Sequence, residues 1–277
     1  MKILVTGGAG YVGSNLIKYL KKHTKAQITS VDNYFTGRES NHIEGVRYID
    51  SSSWEISELP IQDIVYHFGE YSRVVPSFKD INYLMTSNLW GTSRVIEQCK
   101  IWNAKLIYSA SSSKFGGNED LSPYSWAKSK MVELIKNYKE WYGLKYEICY
   151  FYNVYGLNQI SEGDYATVIG IFEKQYREGK PLTIVGDGEQ SRQFTHIDDI
   201  VNALNKVRSQ NKDKEWYLSS DIDYKIKDVA KMFTDNIEYI PKRIGERYNA
   251  ITIPNDTKKV LKWKCKHDLK TYINGTK

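Results

Sequence analysis

The chain is poor in cysteine and has no long apolar run, and each scarcity argues against a class of protein. Its 277 residues include three cysteines, which lie far apart and form no CxxC pair. This spacing does not fit a disulfide framework or a thiolate zinc site. No apolar run approaches the roughly 18 residues that a membrane span needs. The opening MKILVTGGAG also lacks the long apolar stretch of a secretory signal, so we expect a cytoplasmic protein without a membrane partner.

A large excess of one charge is also missing. The 39 Lys and Arg residues against 33 Asp and Glu residues give a net charge of +6, and the basic residues are spread along the chain. This distribution is typical of a solvated surface, so no nucleic-acid partner is expected, while it suits a small phosphorylated ligand. The five histidines show no metal-ligand spacing, and no metal is expected. They are His23, His42, His67, His196 and His267.

What the chain does contain is a recurrence of apolar, β-rich segments, with helix-like stretches between several of them. The segments are 2–6, 27–31, 63–66, 105–109 and 145–151. This alternation predicts an α/β protein with a doubly wound, mostly parallel sheet. Helical patterns cover 81–102 and 123–142, the second opening with the cap pair Ser122-Pro123. After about residue 155 the pattern loosens, and we expect short strands and loops at PLTIVGDGEQ and IPKRIGER.

The first predicted strand, KILVT, runs directly into a glycine turn and then an amphipathic helix. Gly7 permits the tight turn, Gly10 lets the backbone approach a pyrophosphate, and Gly13 allows the helix to pack closely on the strand. The spacing is GxxGxxG rather than GxGxxG. The order of strand, glycine turn and helix nevertheless predicts a dinucleotide site.

Asp32, at the end of the second predicted strand, lies 19 residues after Gly13. A carboxylate there accepts hydrogen bonds from the adenosine ribose hydroxyls and repels a 2′-phosphate, which favours NAD over NADP. The alternative is a glycine turn with an unrelated Asp. Arg38 is near enough in sequence to keep NADP open.

The segment SPYSWAKSK places Tyr124 and Lys128 on one face of a predicted helix, four residues apart. An ammonium beside a phenol stabilises the phenolate and makes it a general base near neutral pH. Tyr124 would take the proton of a sugar hydroxyl, and Lys128 would also hold the nicotinamide ribose. The alternative is an ordinary aromatic and lysine pair on a surface helix.

These motifs together resemble the extended short-chain dehydrogenase/reductase family, and within it the nucleotide-sugar epimerases. The resemblance rests on TGGAGYVG, VDNYFTGR, SNLWGT, YSASSSKFG, YSWAK, FYNVYG, GDGEQSRQFTHIDDI and LKW. It implies a Rossmann-type NAD-binding domain at 1–154, to which 195–215 returns, and a smaller substrate-binding part from 155–194 and 216–277. It also implies inversion of C4 of a UDP-hexose by transient oxidation with bound NAD.

The resemblance places the catalytic Ser or Thr on Ser111, counting back from Gly116, with Ser109 ending the strand before it. The two following positions resemble Asp-Glu in the 4,6-dehydratases, and the nucleotide-sugar decarboxylases have a Glu at the second. Here they are Ser112 and Ser113. Since a serine does not supply that acid or base catalysis, elimination is disfavoured and oxidation followed by reduction at C4 is favoured.

The implied site residues fall into three sets. The catalytic set is Ser111, Tyr124 and Lys128. The resemblance assigns to the cofactor Gly7, Gly10, Tyr11, Val12, Gly13, Asp32, Asn33, Asp50, Ser51, Phe68, Gly69, Asn88, Ser109, Tyr124 and Lys128. It assigns to the substrate Ser111, Ser112, Tyr124, Asn153, Val168, Arg192 and Arg243, the two arginines clamping the diphosphate. Asn88 could equally be a buried helix residue bonded to backbone.

Departures from the family pattern leave questions open. Glu70 and Arg73 are unusual near a nicotinamide, and they either pair with each other or contact the sugar. Tyr150 stands in place of the usual Arg before the YFN-like motif, and Phe194 in place of an aromatic hydroxyl. A small residue seven positions after Arg243, Ala250, makes UDP-N-acetylglucosamine an alternative to UDP-glucose as substrate.

Rival functions are a net NAD(P)-dependent reductase, dehydrogenase or dehydratase on a nucleotide sugar, and a catalytically silent NAD-binding protein. The family resemblance also suggests a homodimer built by the helices near 81–102 and 123–142. Their non-catalytic faces carry Trp90, Ile96, Trp126 and Met131, residues that a core would also use.

Overall fold

A computed structural model describes residues 1–115, 120–245, 248–249, 251 and 253–276. Their twelve strands are β1 (Lys2–Thr6), β2 (Gln27–Asp32), β3 (Arg47–Asp50), β4 (Ile64–His67), β5 (Lys105–Ser111), β6 (Tyr146–Phe151), β7 (Asn153–Tyr155), β8 (Leu182–Val185), β9 (Ser191–His196), β10 (Glu215–Leu218), β11 (Asp223–Lys225) and β12 (Ile237–Ile240). Their α-helices are α1 (Tyr11–His23), α2 (Ile81–Leu84), α3 (Thr92–Trp102), α4 (Pro123–Tyr142), α5 (Val168–Arg177), α6 (Ile197–Arg208), α7 (Ile226–Phe233), α8 (Thr257–Leu261) and α9 (Leu269–Thr276).

Seven strands form one parallel sheet in the order β10-β6-β5-β4-β1-β2-β3. Its inner strands are apolar on both faces, as a sheet covered by helices on both sides requires. One face packs against α1 and α6, and the other packs against α3 and α4. The predicted doubly wound α/β fold is confirmed. Because the strand order reverses between β1 and β4, a crevice opens beyond the carboxyl ends of these strands.

The smaller sheets lie in the second half of the chain. One has the order β11-β9-β7 and the other pairs β12 with β8. A separate apolar cluster joins them to α5, α7 and α9. The edge strand β10 begins at residue 215, where the predicted return segment ends. The division into a cofactor part and a substrate part stays a proposal.

Three features differ from the sequence-based expectations. The short strand β3 was not predicted, because RYID is too brief and too exposed to show a pattern. The helix expected over 81–102 contains a π-helical stretch from Met85 to Gly91. The sequence analysis also did not predict α5, α6 and α7, which are amphipathic helices. Their apolar faces are spaced at helical intervals that the sequence already contains.

No helix in the described part of the chain is both long enough and apolar enough to cross a membrane.

Candidate active site

A cavity of about 540 Å³ lies at the carboxyl ends of the central strands. It brings together most of the residues that the sequence singles out. These are Gly7, Gly10, Tyr11, Val12, Gly13, Asp32, Asn33, Phe68, Gly69, Ser109, Ser111, Ser112, Tyr124, Lys128, Asn153, Val168, Arg192 and Arg243. The cavity therefore joins the glycine turn, the Tyr-Lys helix and the predicted diphosphate clamp in one space.

The glycine turn between β1 and α1 leaves no room for side chains. Gly7 has a φ of +69°, and a Cβ there would lie 2.8 Å from the backbone of Gly69. A Cβ on Gly13 would lie 2.2 Å from the Gly7 carbonyl oxygen. Gly10 caps α1, so the helix N-terminus with its unpaired N–H groups opens on the cavity. These glycines fit a pyrophosphate bound against the backbone.

Asp32 ends β2 as expected, and its carboxylate is held by backbone donors. The Ala9 N–H donates to Oδ2 at 2.8 Å, and the Tyr34 N–H donates to Oδ1 at 2.9 Å. Burial raises the pKa of Asp32, while these two hydrogen bonds oppose the increase. A positioned carboxylate beside the glycine turn fits the ribose of NAD. Arg38 is exposed on the loop that follows.

Three predicted cofactor residues do not line the cavity. Asp50 is exposed at the end of β3, and the Ser51 hydroxyl donates to Glu55 Oε2 at 2.7 Å. Asn88 is completely buried on the π-helical stretch. Its amide accepts from the Tyr71 N–H and donates to the Tyr71 carbonyl, both at 2.8 Å. Asn88 thus has the backbone-bonded alternative role, and it holds the segment that carries Glu70 and Arg73.

Tyr124 and Lys128 lie on the first turns of α4. Ser122 caps this helix by accepting from the Ser125 N–H at 3.1 Å, and Pro123 follows, which confirms the predicted cap pair. Tyr124 is 8% exposed and Lys128 is 4% exposed. Both side chains line the cavity. The helix therefore presents a phenol and an ammonium to the same space.

Glu70, which departs from the family pattern, forms a buried ion pair with Lys128. The second carboxylate oxygen of Glu70 accepts from the Thr92 hydroxyl at 2.8 Å and from the Tyr108 hydroxyl at 3.1 Å. Lys128 Nζ also donates to the Ser109 carbonyl oxygen at 2.5 Å. The charge of Lys128 is thus compensated by the protein itself, through a partner 58 residues away in sequence.

A buried neutral histidine is hydrogen-bonded to this network through Thr92. His67 Nε2 lies 3.0 Å from the Thr92 hydroxyl oxygen, and its Nδ1 lies 2.7 Å from the Thr6 hydroxyl oxygen. Burial lowers the pKa of His67 to about 4. At neutral pH it adds no second positive charge beside Lys128. Its structural role agrees with the absence of metal-ligand spacing around it.

The serine run lies where β5 ends and a short 3₁₀ turn begins. Ser113 donates to the Ser111 Oγ through its hydroxyl at 2.9 Å and its backbone N–H at 3.2 Å. Ser111, Ser112 and Ser113 all line the cavity. This arrangement leaves the Ser111 hydroxyl hydrogen free of these two bonds for another acceptor. Gly116 and Gly117, which follow the serine run, lie outside the described residues, as does Ala250.

The residues of the predicted diphosphate clamp line the same cavity. Asn153 Nδ2 donates to the Gln193 carbonyl oxygen at 3.2 Å, and Arg192 Nη1 donates to the Ser191 carbonyl oxygen at 2.7 Å. Arg243 is exposed at the cavity edge. Val168 begins α5 beside them. The two guanidinium groups thus border the same space as Tyr124.

Arg73 does not pair with Glu70. Its Nε donates to the Tyr165 carbonyl oxygen at 3.0 Å, its Nη2 donates to the same oxygen, and its Nη1 donates to the Ser72 carbonyl oxygen at 3.0 Å. Burial lowers the pKa of Arg73.

Sequence reasoning also missed several aromatic residues that line the cavity, because no local motif marks them. They are Phe35, Trp54, Tyr71 and Tyr83.

Outside the cavity, His196, Asp198 and His267 bring possible ligand atoms within 4.8 Å of one another. Sequence spacing did not show this cluster, because His267 comes from a distant segment. The two imidazole rings are stacked at 4.3 Å with an interplanar angle of 25°. Nitrogen lone pairs lie in the ring planes, so nearly parallel stacked rings do not aim at one ion. His196 Nδ1 instead accepts from the Asp198 N–H and caps α6.

Comparisons with known proteins agree with this site. The chain is 29% identical to a putative UDP-glucose 4-epimerase of Methanocaldococcus jannaschii over 98% of this chain and 95% of that protein. It is 29% identical to a UDP-N-acetyl-alpha-D-glucosaminuronate decarboxylase of Bacillus cytotoxicus over 73% of this chain and 69% of that protein. A UDP-glucose 4-epimerase structure from Thermotoga maritima, with UDP-glucose, superposes with a TM-score of 0.93 at 25% identity, covering 100% and 97% of the two chains.

The family profile that matches residues 3–218 is that of NAD-dependent members, and the glycine turn with Asp32 fits this cofactor. The relatives of the chain are named as nucleotide-sugar epimerases, dehydratases and decarboxylases, which supports an enzyme. From the profile match and the cavity geometry together, we conclude that the chain belongs to the NAD dependent epimerase/dehydratase family.

Proposed function

We propose that the protein is a nucleotide-sugar 4-epimerase that inverts C4 of a UDP-hexose. The observation that carries the proposal is the convergence of Ser111, Tyr124 and Lys128 on the cavity into which the glycine turn opens. A phenol beside an ammonium and a serine hydroxyl can move the proton of one sugar hydroxyl. The similarity to epimerases that act on UDP-glucose supports the choice of reaction.

Each catalytic side chain has a distinct task in this proposal. Tyr124, as phenolate, takes the proton of the sugar 4-hydroxyl, and Ser111 shares this hydrogen bond. Lys128 stabilises the phenolate by its charge and holds the nicotinamide ribose. The glycine turn and Asp32 would hold NAD, which would supply the hydride acceptor and donor for C4. Tyr124 then returns its proton to the oxygen of the inverted centre.

The predicted diphosphate clamp would hold the substrate while the sugar turns. Arg192 and Arg243 would clamp the diphosphate with planar, permanently charged groups, and Asn153 would face it. Such a clamp on the part of the substrate that does not react leaves the 4-keto sugar free to present its second face. Inversion, rather than return of the same isomer, depends on this freedom.

Elimination of water or loss of a carboxylate needs an acid or base that the serine run does not provide. Ser112 and Ser113 occupy the positions at which the related enzymes carry acids. Glu70 does not replace those acids, because its oxygens are already bound by Lys128, Thr92 and Tyr108. The cavity therefore favours oxidation and reduction at C4 alone.

The test is incubation of the purified protein with UDP-glucose, UDP-galactose and UDP-N-acetylglucosamine, with products identified by NMR. We expect interconversion of C4 epimers with no net absorbance change at 340 nm. Stoichiometric consumption of added NAD(P)H would instead show a reductase, and a dehydrated product would show a dehydratase.

Tyr124→Phe is the matched variant, because it removes one oxygen atom from the site. We expect turnover to fall by about 10²- to 10⁴-fold, the usual contribution of general acid–base catalysis, with NAD binding retained. Near-normal turnover in this variant would contradict the role of Tyr124. A wild-type protein that binds NAD but converts no sugar nucleotide would support the silent alternative.

A homodimer in the cytoplasm is part of the same proposal. Of the four residues named on these helices, Trp90 is 53% exposed and packs edge-on against Trp54, Trp126 is partly buried, and Ile96 and Met131 belong to the core. Exposed Trp141 at the end of α4 adds an apolar contact surface. Light scattering of the purified protein tests the assembly.

A further inference from the structure

Two buried or partly buried cations border the reacting end of the cavity, and only one has an acidic partner. Lys128 is paired with Glu70. Arg73 has no carboxylate within 4.0 Å among the residues that the structure describes. Arg73 is partly buried, and this burial lowers the pKa of its guanidinium.

The Arg73 side chain is nevertheless held firmly. Its Nε and Nη2 both donate to the Tyr165 carbonyl oxygen, and Nη1 donates to the Ser72 carbonyl oxygen. The guanidinium carbon lies 6.0 Å from the centre of the Tyr165 ring. A guanidinium group has five N–H donors, so two remain after these three bonds. They belong to the terminal nitrogens, which are the pair that a carboxylate binds in a fork.

The position of Arg73 relative to the chemistry is also defined. It lines the cavity together with Tyr124, and its hydrogen-bond partner Tyr165 packs against the apolar cluster that contains Tyr124. In the proposed reaction the Tyr124 oxygen contacts the 4-hydroxyl of the sugar. A group bound by Arg73 is therefore near C4, whereas the diphosphate is assigned to Arg192 and Arg243.

From this geometry we infer that the natural substrate is an acidic sugar nucleotide, a nucleoside-diphosphate hexuronate whose carboxylate, on the carbon next to C4, binds Arg73. The inference rests on the proposed 4-epimerase function and narrows its substrate class. In this view Arg73 is the residue that selects the substrate, and it takes no part in proton transfer. Its guanidinium gains a carboxylate partner when the acidic sugar is bound.

The experiment compares UDP-glucuronate with UDP-glucose in the wild-type protein, in Arg73→Met, and in Arg47→Met. Arg47 is an exposed arginine on β3 that does not line the cavity, so it controls for the loss of one surface charge. We expect the wild-type kcat/KM to be at least about 30-fold higher for UDP-glucuronate, since loss of one partner of a desolvated charge pair has effects of this size. Arg73→Met should remove this preference by lowering kcat/KM for UDP-glucuronate at least about 30-fold, whereas Arg47→Met should leave the preference unchanged.

Binding is measured as a readout independent of turnover, by calorimetry in a Tyr124→Phe background with UDP-glucuronate, UDP-glucose and UDP. We expect Arg73→Met to weaken only UDP-glucuronate, by at least about 30-fold. Equal weakening of all three ligands would place Arg73 on the diphosphate and overturn the inference. So would a wild-type preference for UDP-glucose.

The outcomes separate this inference from the proposed function. Turnover of UDP-glucose without turnover or selective binding of UDP-glucuronate leaves the epimerase proposal intact and overturns the acidic substrate. Selective binding of UDP-glucuronate with release of CO₂ and a UDP-pentose supports the acidic substrate and shows that the reaction is decarboxylation. Selective binding without any product supports the role of Arg73 and counts against the 4-epimerase.

Discussion

Lys128 and Arg73 are two cations that line one cavity, and they differ in whether the protein supplies a counter-charge. Lys128 lies on a helix and is neutralised by Glu70, whose carboxylate also accepts from Thr92 and Tyr108. Arg73 lies on a loop and has three hydrogen bonds to carbonyl oxygens and no carboxylate partner in the part of the chain that the structure describes. One charge is balanced inside the protein, and the other is left for a ligand.

The difference separates a permanent part of the site from a selective part. The Lys128 network is complete before any ligand arrives, so it fixes the ammonium where the phenol of Tyr124 needs it. In a buried ion pair the attraction between the charges offsets their desolvation, whereas a buried charge without a counter-charge lowers stability until a partner binds. The two residues should therefore respond differently to the same kind of substitution.

The largest effect on stability is expected when Lys128 loses its acidic partner. Glu70→Gln keeps the shape of the side chain and leaves a buried ammonium without its counter-charge, so we expect a loss of about 3–5 kcal/mol in the free energy of unfolding. Urea unfolding measures it. The double variant Glu70→Gln with Lys128→Met should recover at least half of the loss. A loss below about 1 kcal/mol in the single variant would show that the ion pair is not what holds this network.

A smaller effect on stability is expected at His67, which is hydrogen-bonded to Thr92 of this network. The pKa of His67 is lowered to about 4 by burial, against 6.5 for an exposed histidine. Between these values the unfolded chain binds a proton that the folded protein does not, so stability falls as the pH falls from 6.5 to 4. A shift of this size corresponds to about 3 kcal/mol.

His67→Gln should remove that part of the pH dependence, while His23→Gln, which changes an exposed histidine on α1, should retain it. The measurement is urea unfolding of the three proteins from pH 7 to pH 4. Equal pH dependence in the wild type and in His67→Gln would contradict the neutral state of His67 in the folded protein.

The cofactor-binding and catalytic residues were largely predictable from sequence, because they are related by local spacing. The glycine turn follows β1 directly, Asp32 ends the next strand, and Tyr124 and Lys128 are one helical turn apart. Each relation lies within one element or between neighbouring elements. The strand order then places these elements at the same edge of the sheet.

The compensation of charges was not predictable, because it depends on tertiary contacts between distant positions. Glu70 and Lys128 are 58 residues apart, and Arg73 and Tyr165 are 92 residues apart. No periodicity links such pairs. In contrast, α5 to α7 were missed although their amphipathic spacing is present in the sequence.

The smallest effect on stability is expected at Arg73. In the absence of a ligand, Arg73→Met should change the free energy of unfolding by less than about 1 kcal/mol, because the lost bonds to carbonyl oxygens are offset by removal of an uncompensated charge. Arg47→Met gives the change in the free energy of unfolding that follows from losing an arginine that does not line the cavity. Thermal unfolding with and without UDP-glucuronate then separates the two regions: the ligand should stabilise Glu70→Gln and the wild type more than Arg73→Met. A loss above about 2 kcal/mol without ligand would mean that Arg73 ties its loop to Tyr165 as a structural residue, and the contrast with Lys128 would fail.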